Sequence, residues 1–209
     1  MKTLRAFLFI TVIASAAQQS HAQDPYFSLY AQNPLMINPA FAGSANSLRI
    51  CSGYRNQWPA LTGTLISYAF SADYYNPNLN SGLALSHSSE SFDVVKLKRT
   101  GLDWSFRIPL KKDGEGKPKA ILQPALEYTY GTGKIDTMRL TFSSMSYTKA
   151  TISYNDFSAG IMYYSKNILF GISTFHLNQP DVGFDAVSKL PIKYIAHAAG
   201  IIRLGEEEQ

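Results

Sequence analysis

The chain has 209 residues, 45% hydrophobic and only 16% charged, with a formal charge of +4. Soluble domains carry about a quarter charged residues, so this surface is short of charge, while 13% aromatics make it too apolar for disorder. It is also too poor in Ala, Glu, Lys and Leu for a helical bundle, and no Lys/Arg cluster marks a nucleic-acid face.

Met1 to Ala22 read as a secretory signal peptide. Lys2 and Arg5 make a positive start, Ala6 to Ala17 an apolar run, and Ser20-His21-Ala22 a small-residue cleavage site before Gln23. The run is too short to span a bilayer as a helix. Its removal lowers the formal charge to +2. The single cysteine, Cys51, has no internal disulfide partner and lies too far past the cleavage site for a lipid anchor.

Residues 23–44 form an Asn-Pro-rich segment. Asn33-Pro34 and Asn38-Pro39 forbid a continuous helix. The segment is nevertheless rich in large apolar side chains that should not lie free in water. Two readings stand: a strand lead-in tucked against a barrel rim, or a plug or docking segment for a partner.

From residue 45 onward the pattern is period two. Leu102, Trp104, Phe106, Ile108 and Leu110 are large and apolar, while Gly101, Asp103, Ser105 and Arg107 between them are small or charged. A helix would scatter the two sets; a strand sends them to opposite faces. Ile66, Tyr68, Phe70 and Tyr74 repeat the device, as do Leu122, Leu126, Tyr128 and Tyr130, and then Phe157, Ala159, Ile161 and Tyr163. The spacing predicts about eight strands, near 46–56, 62–74, 80–90, 94–110, 118–131, 151–165, 168–176 and 191–203. Several are as long as a tilted membrane strand. Asn76-Pro77-Asn78, the charged run 111–118 and Lys166-Asn167 separate strands. If the first strand leaves the periplasm, these three connections are periplasmic, and the longer ones near 132–150 and 177–190 face outward.

Alternation would also suit a soluble sandwich. The polar face decides between them: Asp73, Asp103, Arg107, Gln123 and Glu127 share it with Gly, Ala and Ser, which a wet barrel interior explains. The expected fold is therefore all-β, an antiparallel transmembrane β-barrel with about eight strands, occupying 45–209.

Catalysis has little support. His87 lies among Ser86, Ser88, Ser89 and Asp93, yet alternation puts it on the face opposite Ser86 and Ser88. The histidines lack metal-ligand spacing. Gly131-Thr132-Gly133-Lys134 lacks the spacer of a phosphate loop. No catalytic, cofactor or metal residue is expected.

The run Gln23-Asp24-Pro25-x-Phe27-Ser28-x-Tyr30, then Asn33-Pro34-Leu35, Asn38-Pro39-Ala40-x-Ala42-Gly43-Ser44 and Tyr54-Arg55-Asn56-Gln57-Trp58 resembles the N-terminal signature of the PorP/SprF family. These are outer-membrane proteins of the type IX secretion system of Bacteroidota. Arg107-Ile108-Pro109-Leu110, Phe157-Ser158-Ala159-Gly160-Ile161-x-Tyr163-Tyr164 and Phe170-Gly171-Ile172-Ser173-x-x-His176-Leu177 extend the resemblance along nearly the whole mature chain. It implies a non-enzymatic barrel in the outer membrane, needed for secreting or surface-attaching particular cargo proteins such as gliding adhesins. Its implied partners are cargo C-terminal domains and the periplasmic lipoprotein ring of the system. Members are usually longer, so the chain reads either as a short barrel closing at about eight strands or as a larger barrel cut short. Eight strands leave no aqueous channel, which moves recognition to the rim or loops. The residues expected to bind a partner are Asn33, Pro34, Asn38, Pro39, Tyr54, Arg55, Gln57 and Trp58.

Overall fold

A computed structural model describes residues 33–60, 63–112, 118–136 and 150–201. The expected signal peptide at 1–22, residues 23–32 and the terminal Glu206-Glu207-Glu208 lie outside these residues.

The described chain is one antiparallel sheet. Its strands are β1 (Arg49–Gln57), β2 (Leu65–Asn76), β3 (Ser81–Phe92), β4 (Val95–Phe106), β5 (Ile108–Lys112), β6 (Pro118–Ile135), β7 (Thr151–Ser165), β8 (Ile168–Phe175) and β9 (Lys193–Gly200). The order is β1-β2-β3-β4-β6-β7-β8-β9, with β5 pairing β6 beside β4. Each main strand pairs with the next in sequence apart from β5, an up-and-down meander. Among the described residues β1 and β9 are the two edges and do not pair, so the described sheet is open between them.

Alternation decides the faces. Along β2 the burial runs outward at Tyr68, Phe70 and Tyr74 and inward at Ser67, Ser71 and Asp73, each no more than 2% exposed. β4 turns Leu102 and Trp104 out and Asp103 and Ser105 in; β7 turns Phe157 and Ile161 out and Asp156 and Ser158 in. Large apolar residues are exposed and polar ones buried, the inverse of a water-soluble core. That inversion fits a convex face in hydrocarbon and a concave face lined by polar groups. Aromatic pairs brace the convex face, Tyr54 with Tyr68 at 5.1 Å and Tyr128 with Phe157 at 5.6 Å between ring centroids.

The expected segment 94–110 is two strands. Arg107 leaves the ladder, its N–H donating to Asn80 O at 2.8 Å. Pro109, which has no N–H, follows, and β5 pairs β6 with register shifts after Pro109 and after Lys111. β1 begins at Arg49 rather than 46, because Asn46 adopts φ 58° in the turn before it. The connections 77–80 and 166–167 lie at the same end of the sheet as β5, as the alternation of strand direction requires.

Candidate functional site

Residues 33–46 lie across the concave face as a plug. Two 3-10 turns, Pro34–Met36 and Pro39–Phe41, each start at a proline that follows an asparagine. Proline suits the first helical position because its missing N–H would go unpaired there anyway. Turns this short satisfy few of their own backbone groups, so the wall supplies the rest.

Asn38, 0% exposed, is the central anchor. Its Oδ1 accepts from Ala40 N at 2.8 Å, capping the second turn. Its Nδ2 lies 3.2 Å from Ile161 O on β7, 3.2 Å from Ile172 O on β8 and 3.1 Å from His197 Nε2 on β9. Gly160 makes the approach possible, because a Cβ there would strike Asn38 Oδ1. Phe41 stacks on the His197 ring at 5.2 Å.

The other strands hold the plug in the same manner. Ser173 on β8 donates to Ile37 O at 2.6 Å, and Ser71 on β2 donates to Asn33 Oδ1 at 2.9 Å. Ser105 on β4 and Gln123 on β6 both donate to Ala42 O at 2.8 Å, and Tyr164 donates to Gln123 Oε1 at 3.1 Å. Apolar contact is small: Ala40 packs with Ala125 and Met162, and Leu35 with Ala42 and Ala84.

Where the plug turns into β1, charge takes over. Asp73 accepts from Gly43 N at 2.8 Å and from Arg49 Nε at 2.7 Å, and Arg49 Nη2 donates to Phe41 O at 2.9 Å. Arg107, displaced from its ladder, donates to Gly43 O and Asn46 Oδ1 and lays its guanidinium over the Tyr75 ring at 3.7 Å. Gly43 has φ +70°, and a Cβ on it would lie 2.7 Å from Gly82 Cα; only glycine fits.

Beyond the plug, toward the end of the sheet carrying the longer connections, the concave face opens into a cleft. Arg99, Glu127, Asp156, His176 and Lys193 are among its walls. His176 Nδ1 pairs with Asp156 Oδ2 at 2.6 Å, with His176 at φ 60°. Asn178 holds this corner by donating to Asn155 O at 2.7 Å and accepting from Phe157 N at 3.1 Å.

The eight residues singled out from the sequence fall in two places. Asn33, Asn38 and Pro39 are buried in the plug, with Pro34 half-buried beside them. Tyr54, Arg55 and Gln57 lie at the far end of edge strand β1, with Trp58 just past it: Tyr54 is exposed on the convex side, 60%, Arg55 and Gln57 are half-buried on the concave side, and Trp58 is 54% exposed. Trp58 adopts φ 58° before Pro59 and ends the strand. Thr64 closes that turn, donating to Asn56 Oδ1 at 2.6 Å and lying 3.0 Å from Gln57 O. The plug and the β1 end are therefore separate sites. His87 is exposed, its Nδ1 3.0 Å from Thr100 Oγ1. The sequence reading missed the plug's receptors Ser71, Ser105, Gln123 and Ser173. Their one visible signal was small or amide residues recurring at inward positions.

A family model described as "Type IX secretion system membrane protein PorP/SprF" matches residues 19–208. No curated protein and no solved structure matches the chain.

Proposed function

The chain belongs to the PorP/SprF family of type IX secretion system membrane proteins, and from that premise we propose that it is a non-enzymatic docking component in the outer membrane. In this reading residues 1–22 direct export, residues 23–44 are an Asn-Pro-rich segment separate from the barrel domain, and the connections after β2, β5 and β7 face the periplasm. The observation that carries the reading is the plug. Side chains or carbonyls of β1, β2, β4, β6, β7, β8 and β9 grip residues 33–46. A concave face so filled serves as a wall, not a passage, and leaves recognition to the rim.

The rim surface we assign is the end of β1. Tyr54 and Trp58 present aromatic area on a strand edge, with Arg55 and Gln57 on the other side. Trp, Tyr and Arg are the residues that most often dominate binding at interfaces. Asn33, Pro34, Asn38 and Pro39 act on docking indirectly, by setting the position of β1 through the plug. The end of β1 lies opposite the connections placed in the periplasm, so on this account cargo C-terminal domains, gliding adhesins among them, meet this outer rim, while the periplasmic lipoprotein ring meets the end carrying the connections after β2, β5 and β7.

The test is retention of type IX components and cargo from envelope membranes by tagged protein, compared with Tyr54→Ala/Trp58→Ala. Wild type retains both, and the double variant loses the cargo while its melting falls only by what the lost Tyr54–Tyr68 ring pair accounts for. Wild-type protein that retains neither refutes the reading. A second reading, a small porin, draws on the charged concave residues Asp103, Arg107 and Glu127. Flat traces from folded protein in planar bilayers dispose of it, and single-channel steps would favour it.

A further inference from the structure

One part of the polar wall is satisfied neither by the plug nor by the sheet. Asp103 on β4 and Glu127 on β6 are direct cross-strand partners, both turned toward the concave face. Such partners hold their Cβ atoms about 5 Å apart. Asp103 is 3% exposed, and neither of its carboxylate oxygens has a hydrogen-bond partner. Glu127 Oε2 is also buried without one. The neighbouring acids have partners, Asp73 in Arg49 and Asp156 in His176 through Oδ2, although Asp156 Oδ1 is also buried without a hydrogen-bond partner. Arg107 is turned to Gly43 and Asn46, while Arg99 acts on Glu127 from the cleft side. Adjacent buried carboxylates with open oxygens are strongly disfavoured unless a positive charge joins them.

A second observation lies one inward position along β4. Gly101 has no side chain, and three oxygens converge over its Cα. A Cβ there would lie 2.5 Å from Ser86 Oγ, 2.9 Å from Glu127 Oε1 and 3.1 Å from Thr129 Oγ1. Gly101, Ser86, Glu127 and Thr129 all line the cleft, so this oxygen cradle is reached from it. Among the described residues no group of three or more His, Cys, Asp and Glu side chains is placed to hold a metal ion, so any cation here draws on fewer acids. Two carboxylates with flanking hydroxyls are the oxygen set that hard cations take, and an irregular set favours calcium over the stricter octahedron of magnesium.

We propose that Asp103 and Glu127, with Ser86 and Thr129, bind a hard divalent cation of the calcium class beside Gly101, where Glu127 borders the cleft and Asp103 lies behind it. The ion joins β3, β4 and β6 behind the plug. The site does not depend on the docking role, and its failure would leave that reading standing.

The experiment uses the full chain purified in detergent and stripped with EGTA. Thermal melts are recorded with calcium, magnesium or sodium added at equal ionic strength, and calcium binding is followed by calorimetry. Calcium at a hundredfold excess over its Kd raises the wild-type Tm by roughly 5–10 °C, magnesium raises it less, and sodium leaves it unmoved. Asp103→Asn and Glu127→Gln each abolish the calcium shift and the calorimetric signal. A wild-type Tm indifferent to calcium overturns the proposal, whether or not the variants fold. A calcium shift that persists in both variants also overturns it. Asp103→Asn melting above a calcium-indifferent wild type shows that a shared proton, not a metal, joins the pair.

Discussion

Replacing Asn38 by alanine tests whether the plug is held by hydrogen bonds rather than by apolar packing. The side chain is fully buried and caps Ala40 N while its amide faces two strand carbonyls and His197. Losing an N-cap costs about 1 kcal/mol. Losing the buried amide donor, which leaves His197 Nε2 unmatched, costs about 1–3 kcal/mol more. The sum is about 2–4 kcal/mol, or roughly 5–10 °C in Tm for a chain of this size. Urea titration in detergent micelles, followed by the near-ultraviolet signal of the aromatic convex face, measures the loss, and limited proteolysis of residues 33–46 reports release of the plug. Asn38→Asp separates the two roles, since it keeps the acceptor for Ala40 but turns a second oxygen toward carbonyls. It should be at least as harmful as alanine. An Asn38→Ala protein that unfolds with the wild type, its plug still protected, would refute the account of how the concave face is filled.

Four further outcomes follow from the same geometry. Arg107→Lys keeps the charge but loses the planar stack on Tyr75 and the forked contact to Gly43 and Asn46; a loss of about 1–2 kcal/mol is expected by the same titration. Leu102→Arg, on the exposed side of β4, should weaken insertion by about 2–4 kcal/mol if that face meets hydrocarbon, read as the folded fraction on refolding into lipid vesicles. Trp58→Ala should weaken partner retention by about 2 kcal/mol, roughly 30-fold, with no change in melting. His87→Ala should alter neither stability nor partner capture, and any lipid hydrolysis by the preparation should persist in it.

The strands were legible because each asks only for local alternation. Tyr68 against Ser67 and Leu102 against Asp103 declare their faces without reference to the rest of the chain. The break at Arg107 was not legible, because that residue leaves the ladder for Asn80, Gly43 and Asn46, which are distant in sequence and close only after folding. The Asn-Pro segment was readable as something other than a helix, but not as to which face it would occupy. That depends on Ser71, Ser105, Gln123 and Ser173 arriving in one inward patch. The pairing of Asp103 with Glu127 is a matter of register between β4 and β6, which are separated in sequence by β5 and residues 113–117. Alternation fixes a side chain's face and says nothing of its neighbour across the strand.

The reach of the Asn38 contact also governs the order of assembly. Every hairpin of the meander joins neighbours in sequence and can close as soon as its second strand exists. Asn38 and His197, by contrast, are 159 residues apart, so the segment synthesised earliest among these elements finds its last partner only when the final described strand is in place. Native locking is thus a late event, for which loop-closure entropy sets the pace. A variant that slows only this step would accumulate protein with its hairpins formed and its amino-terminal residues still open to protease.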